Sequence, residues 1–255
     1  MTGVEGLWPQ NISPNKLAIL ERKFALWLRS QELQSEQPDM LPQHQTLEEL
    51  QALTKKAVAQ GWNFAQLQGI IQTVVDAKTE NFIELATLAE LKISEDFAGA
   101  RLLGTHLSNL DLSGANLQNT YLRGVDLSDA DLSNADLRFA NLSGADLSGA
   151  LLSDANLSGA DLHRASLALA SLSGADLCGA NLTEANLNNC NLSDANLHNA
   201  ILKNADLHQA GLAVTNLKGA DFTGAIVKQA RLWHDSGLSE EVKQDLIKRG
   251  AIFEE

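Results

Sequence analysis

The sequence predicts a mainly β protein. A four-sided β-helix is expected over residues 95–234, an α-helical bundle domain over 1–94, and a C-terminal capping helix within 235–255. Three observations carry this reading. From Phe97 to Leu232 every fifth residue is apolar: Leu fills 25 of the 28 positions, and Phe97, Phe222 and Val227 fill the rest. Two residues before each runs a second column, in which Ala fills 21 of 28 positions. The register never slips, so no insertion interrupts the run.

A period of five matches neither the 3.6 of a helix nor the 2 of a strand. On an extended segment, residues two apart point the same way, so Leu and Ala can both face inward. The chain must then turn before the next Leu. Gly, Asn, Asp and Ser fill the intervening positions, as in Ser113-Gly114 and Ser133-Asn134, and these residues favour turns. Four short sides close a square coil of 20 residues. The expected core is Leu127, Leu132, Leu137, Leu142 and Leu147, with Ala135, Ala140 and Ala145 opposite them. Each inward Leu contributes about 1.5–3 kcal/mol on burial, offset by the entropy of ordering the chain. The Ala column has to stay small, because larger side chains would meet across a narrow bore. Aromatic residues make up only 5% of a chain that is 44% hydrophobic, which suits such a bore. No proline follows Pro42, as expected where backbone N–H groups bond to the coils above and below.

The unit Ala-Asp/Asn-Leu-X-X, as in Ala135-Asp136-Leu137 and Ala155-Asn156-Leu157, resembles the pentapeptide-repeat family, in its cyanobacterial type with an N-terminal helical domain. The resemblance covers about half the chain. It implies a right-handed quadrilateral β-helix. The 28 repeats then make seven coils, a rod roughly 34 Å long at about 4.8 Å per coil.

The flanks have another texture. Leu17, Leu20, Phe24, Trp27 and Leu28 form a helical stripe after Ser13-Pro14. Thr46 and Glu49 make a capping box before Leu47, Leu50, Leu53, Ala57 and Val58, with Gly61 as the stop. Asn63 and Gln66 open a third helix carrying Phe64, Leu67, Ile71 and Val74. Asn81 and Glu84 open a fourth carrying Phe82, Leu85 and Leu88. Residues 34–45, with Pro38 and Pro42, form a loop. After the repeats, Ser239 caps a helix with Glu240 and Glu241 in its first turn, Lys248 and Arg249 in its last, and Gly250 as its stop. Its apolar face is Leu238, Val242, Leu246 and Ile247. Stacked β-structure leaves raw edges, so both flanks are expected to cap the rod. The N-terminal domain is longer than a cap requires and is also a candidate recognition module.

Net charge is −13 with a pI of about 4.8, which disfavours nucleic acid as a partner. No apolar run approaches the roughly 20 residues of a membrane helix, and no signal peptide is visible. A cytoplasmic, soluble chain is expected, monomeric or weakly dimeric, with a protein as its partner. Folding the repeat on paper sets residues 20 apart on one face. One face carries Asp126, Asp129, Asp146 and Asp206 against Lys228, and the next carries Asp111, Asp131, Asp154 and Asp194 against Arg231, each net −3. A third face, with Arg101, Arg123, Arg164 and Lys203 against Asp161, Glu184 and Asp221, is net +1. Leu151 and Leu169 break the pattern and should point outward near the junction of the acidic faces. The candidate interaction surface is therefore Leu151 and Leu169 with Asp126, Asp129, Asp131, Asp146 and Asp154. Phe139 and Tyr121 are weaker candidates on other faces.

Catalytic chemistry is not expected. His163, His198 and His208 fall on three different faces, so they do not converge on a metal. Cys190 lies in the Ala column as a small apolar filler, while Cys178 points outward elsewhere, so the two should not pair. The stacked Ser113, Ser133, Ser153, Ser173 and Ser193 have no base beside them. No phosphate-binding loop or substrate pocket is foreseen, and no cofactor. The leading expectation is a non-catalytic protein–protein interaction scaffold with a regulatory role. The resemblance supplies the alternative, since some family members bind DNA gyrase by imitating duplex DNA.

Overall fold

The computed structural model describes residues 12–32, 52, 54–55, 65–234 and 236–254. The chain divides into two compact units, Met1–Lys92 and Ile93–Glu255.

In the first unit the described helices are α1 (Pro14–Glu32), α2 (Ala65–Asp76) and α3 (Phe82–Leu88). The helix expected after Thr46 lies largely outside the described residues, of which 52, 54 and 55 are helical. The Gln34–Gln45 loop lies outside them as well. α1 packs against both α2 and α3. Ile19, Leu20 and Phe24 are buried there with Leu67, Ile71, Val74, Phe82 and Leu85. Asn81 caps α3 as expected, its side-chain oxygen accepting from the amides of Ile83 and Glu84. Leu88 is exposed instead of joining the core, because α3 ends at that residue. The Lys16 ammonium donates to the carbonyls of Val75 and Ala77 at the C-terminal end of α2, where the helix dipole favours a cation.

In the second unit, parallel bridges join residues 20 apart in unbroken series, from Arg101↔Tyr121 to Asp206↔Ile226. The unit Asp136–Ala140 shows why a five-residue sequence suffices. The Asp136 amide donates to Ala115 O in the coil below (2.9 Å), and the Leu137 and Phe139 amides donate to Asn156 O and Ser158 O in the coil above (2.7 and 3.1 Å). The Ala140 amide closes the corner on Leu137 O (3.0 Å). One donor remains, that of Arg138, and the Asp136 carboxylate accepts it (3.2 Å). Every N–H of the unit is thereby paired, as buried or half-buried backbone requires. The Asp or Asn before each Leu is thus a backbone acceptor. The same bond recurs from Ser128 to Asp126, Ser133 to Asp131, Ser158 to Asn156 and Thr183 to Asn181.

The inward columns lie where the period places them. Leu127, Leu132, Leu137, Leu142 and Leu147 are fully buried, as are Ala135, Ala140 and Ala145. Thr105 and Thr120 enter the Ala column by donating their hydroxyls to Leu102 O and Leu117 O, both at 2.6 Å. Counted from the Ala of Ala-Asp/Asn-Leu-X-X, the fifth residue of each unit takes positive φ, as at Gly144, Asn134 and Asp154.

At the far end, β1 (Gly211–Leu212), β2 (Arg231–Trp233) and β3 (Ile252–Glu254) form a parallel sheet in that order. Between β2 and β3 runs α4 (Glu240–Lys248), capped by Ser239 through the Val242 amide. The chain after the expected helix therefore returns and adds one more strand. Ile247 is exposed and does not belong to the buried face. Leu246 is buried and Val242, one turn earlier, half-buried, whereas the next residue lies about 100° around the helix. The last coil would leave the Ala225 carbonyl without the amide of a next coil. Arg249 supplies donors instead, its Nη1 reaching Phe222 O at 3.1 Å and Ala225 O at 2.9 Å.

Candidate functional site

The bridge series places the candidate residues around one corner of the coil. Asp126, Asp146 and Ser166 stack in one column, Asp131, Leu151 and Ser171 in another. Asp129, Gly149 and Leu169, each three residues beyond the first column, form the corner between them. Six of the seven candidates thus converge on this corner. Asp154 lies at the other end of the Leu152 side, on the next corner.

The carboxylates are not alike. Asp126, Asp131 and Asp146 each hold a serine amide two residues on through Oδ1, at 3.0, 2.9 and 3.0 Å. The Ser128 hydroxyl, and next its amide, hold the Asp126 carboxyl below the usual carboxylate range. Asp129 and Asp154 occupy corners at φ 55° and 57°. Each leans over the glycine one coil above: a methyl on Gly149 would meet Asp129 Oδ1 at 2.3 Å, and one on Gly174 would meet Asp154 Oδ1 at 2.3 Å. The wall is charged, and its carboxylates are held by the turns that build the coil.

The two leucines are held differently. Leu169 is 71% exposed at φ 62°, a left-handed conformation that costs an ordinary side chain about 1–2 kcal/mol. Leu151 is 47% exposed and stands where an Asp or Asn would accept the amide two residues on, so it offers Ser153 no such bond. Each residue gives up something the repeat uses, and neither gains burial in return.

Sequence reasoning passed over Val214, 60% exposed at φ 56°, and Leu103 and Ile226, which are also exposed. The signal was present: at the fifth position of the unit, Gly, Asn and Asp dominate, and Phe139, Leu169 and Val214 are the apolar residues that depart from them. Cys190 is buried, and burial pushes its thiol up to about 12. Cys178 is half-buried. Among the described residues no group of three His, Cys, Asp or Glu side chains is arranged to hold a metal ion.

The model of the family described as pentapeptide repeats matches eight copies, over residues 96–129, 130–167, 170–209 and 200–232, more than half of the chain. The chain belongs to the pentapeptide-repeat family. The four-sided path is that family's right-handed quadrilateral β-helix. Among solved structures, the chain is similar to the pentapeptide repeat protein Rfr23 from the cyanobacterium Cyanothece 51142, with 33% identity over 47% of this chain and 64% of that one, and a TM-score of 0.29. It thus spans just under two thirds of that protein's length. A pentapeptide repeat protein of the Arabidopsis thaliana thylakoid lumen shares 32% identity over 51% of this chain and 81% of its own, TM-score 0.30. QnrB1, a plasmid-mediated fluoroquinolone resistance protein, shares 21% identity over 62% and 84%, TM-score 0.40. No curated protein sequence matches the chain.

Proposed function

We propose that this pentapeptide-repeat protein is a non-catalytic, regulatory protein-binding scaffold. In this reading a rigid rod of about seven coils presents its acidic corner to a basic partner. The N-terminal helical domain serves as a second surface, and the chain acts in the cytoplasm as a monomer or weak dimer. The observation that carries the reading is the pair Leu151 and Leu169. Both are exposed on the corner that carries Asp126, Asp129, Asp131 and Asp146, and each occupies a position where the repeat is better served by another residue. Strain that gains nothing for the fold points to a use outside it. An apolar anchor ringed by fixed charge is the composition of a binding hot spot. The charge steers and orients the partner, and the anchors contribute the affinity. Because the surface is already formed, little ordering entropy opposes binding.

The test is quantitative binding of a partner captured from the native host to the wild type and to the double variant Leu151→Ser, Leu169→Ser. The variant is expected to fold normally and to bind about tenfold or more weakly. Equal affinity would remove this corner from the proposal.

The acidic columns also support the DNA-mimic reading, in which the rod would bind DNA gyrase. The unbroken bridge series leaves no loop projecting from the coils, and the wall holds apolar anchors that a phosphate backbone lacks, so this reading ranks second. A gyrase supercoiling assay separates the two. Inhibition at stoichiometric protein would move gyrase to first place.

A further inference from the structure

The carboxylates of the acidic corner differ in how much of each is still open. Asp126 Oδ1 accepts twice from Ser128, from its amide at 3.0 Å and from its hydroxyl at 2.6 Å. Asp111, one coil below Asp131, is taken up in the same way by Ser113. Asp131 Oδ1 accepts the Ser133 amide alone among the described residues, at 2.9 Å. Asp146 Oδ1 likewise accepts the Ser148 amide alone, at 3.0 Å, and the Ser148 hydroxyl is paired with that of Ser166 in the coil above, at 2.7 Å. The sequence explains this last difference. Ser166 stands where the repeat usually has Asp or Asn, so the carboxylate column ends at Asp146 and the serine beside it turns upward.

The chain itself shows what such an open carboxylate takes. Asp136 occupies the same position of its unit, and its Oδ1 holds the amide two residues on. Arg138 stands there in place of serine, and its guanidinium forks onto the carboxylate: Nε donates to Oδ1 at 2.9 Å and Nη2 to Oδ2 at 2.7 Å. A carboxylate oxygen has two lone pairs. At Oδ1 one goes to the amide, and the second goes to Arg138 Nε in Asp136 and to the Ser128 hydroxyl in Asp126. In Asp131 and Asp146 that second place and the whole of Oδ2 are open. Asp146 is exposed and Asp131 half-buried, so both can be reached.

No described cation of the chain fills these places. The ion pairs of the repeat join Arg138 to Asp136, Arg164 to Glu184, Lys203 to Asp221 and Arg231 to Glu254. Arg123 lies beside the Asp126–Asp146 column, on the far side of Gly124, and is ion-paired with neither. His106 stands one coil below Asp126, away from the open pair, and Lys228 at the far end of the rod. The apolar pair lies beside the open carboxylates. Leu151 bridges Asp131 from the coil above and follows Asp146 by one unit. Asp129 leans over Gly149, between Asp146 and Leu151, and adds its charge there. Leu169 stands on the corner one coil higher, largely exposed.

Resting on the scaffold reading, we infer that the partner brings arginine to this corner: one guanidinium forks onto Asp131, a second onto Asp146, and an aliphatic side chain lies against Leu151 and Leu169. Lysine is a poor substitute, because an ammonium is a point charge and does not span both oxygens. Asp126, filled by its serine, contributes field alone. Asp131 and Asp146 lie on opposite sides of the corner, and successive residues of an extended segment point to opposite sides. A short stretch with neighbouring arginines and one aliphatic residue can therefore engage all three features.

The experiment is selection of a random-peptide display library on the full-length protein, followed by affinity measurement of the synthesised peptides. They are measured on the wild type, on Asp131→Asn, Asp146→Asn and Asp126→Asn singly, and on the Leu151→Ser, Leu169→Ser double variant. Asn keeps the backbone bond at this position, as Asn156 does with the Ser158 amide at 3.0 Å, so each Asn variant is expected to melt with the wild type. The expected peptides carry neighbouring arginines beside Leu, Ile or Val. Their affinity should fall about tenfold when the arginines are replaced by lysine, and by a similar factor in Asp131→Asn, in Asp146→Asn and in the leucine double variant. Asp126→Asn should change it by no more than about twofold. The inference is overturned if no peptides are recovered, if lysine serves as well as arginine, or if Asp126→Asn costs as much as the other two. A host partner weakened by the leucine double variant and untouched by Asp131→Asn and Asp146→Asn would also overturn it, while leaving the scaffold reading in place.

Discussion

Leu169 and Asp129 stack on one corner of the coil, at φ 62° and 55°, with Gly149 between them. The backbone asks the same left-handed geometry of all three, and only glycine meets it without steric cost. Asn comes next, since its short amide tolerates this region. Leu169→Asn is therefore predicted to raise stability by about 1 kcal/mol, read from the midpoint of urea unfolding. An unchanged or lower midpoint would show that Leu169 earns its place in the fold and would weaken the case that it serves a partner. The five-residue period was legible because Leu and Ala recur without a slip, and outward positions follow from it by simple counting. The cost at each corner was not legible in the same way. Left-handed φ is a property of the closed coil, and turn residues read from sequence do not say which one of them carries it. Nor does an Asp before Leu disclose that its carboxylate is taken up by an amide two residues on. Charge at Asp126, Asp131 and Asp146 was visible in the sequence, while their structural engagement was not.

At the scale of elements, the end of the solenoid shows how a stack of strands is closed. In each inner coil the carbonyl of the Ala-column residue accepts the amide of the next coil, as Val125 O does from Asp146. Ala225 has no such neighbour. Arg249 Nη1 takes its place at 2.9 Å, and the Asp245 carboxylate holds the guanidinium with a contact of 2.6 Å. Arg249→Ala is predicted to cost about 1–3 kcal/mol, the penalty for leaving the Ala225 carbonyl unpaired. A melting temperature equal to that of the wild type would show that solvent satisfies this edge on its own. Helix α4 was legible from its cap, its acidic first turn and its glycine stop. Strand β3 was not. It has three residues, it lies outside the five-residue register, and its pairing of Phe253 with Leu232 spans 21 residues instead of 20. The N-terminal helices were legible for the same reasons as α4, since the residues at their starts, such as Asn81, satisfy amides that have no partner within the helix.

At the scale of the whole molecule, the repeat closes its interior and turns its variable positions outward. Its bore is filled by Leu and Ala, its backbone donors are paired wherever Asp or Asn precedes the Leu, and its sides carry charge of opposite sign in different places. In the proposed reading, the apolar departures Leu151 and Leu169 on the acidic corner mark the surface a partner uses. The measurement that tests this most directly is affinity capture from the native host with the full chain and with residues 93–255, the second compact unit. If the solenoid is the recognition surface, the same partner is retained by both with equal affinity, and it is released by substitutions on the rod. A partner held by the full chain and lost from residues 93–255 would contradict the account, because recognition would then belong to the helical segment and the rod would be its spacer.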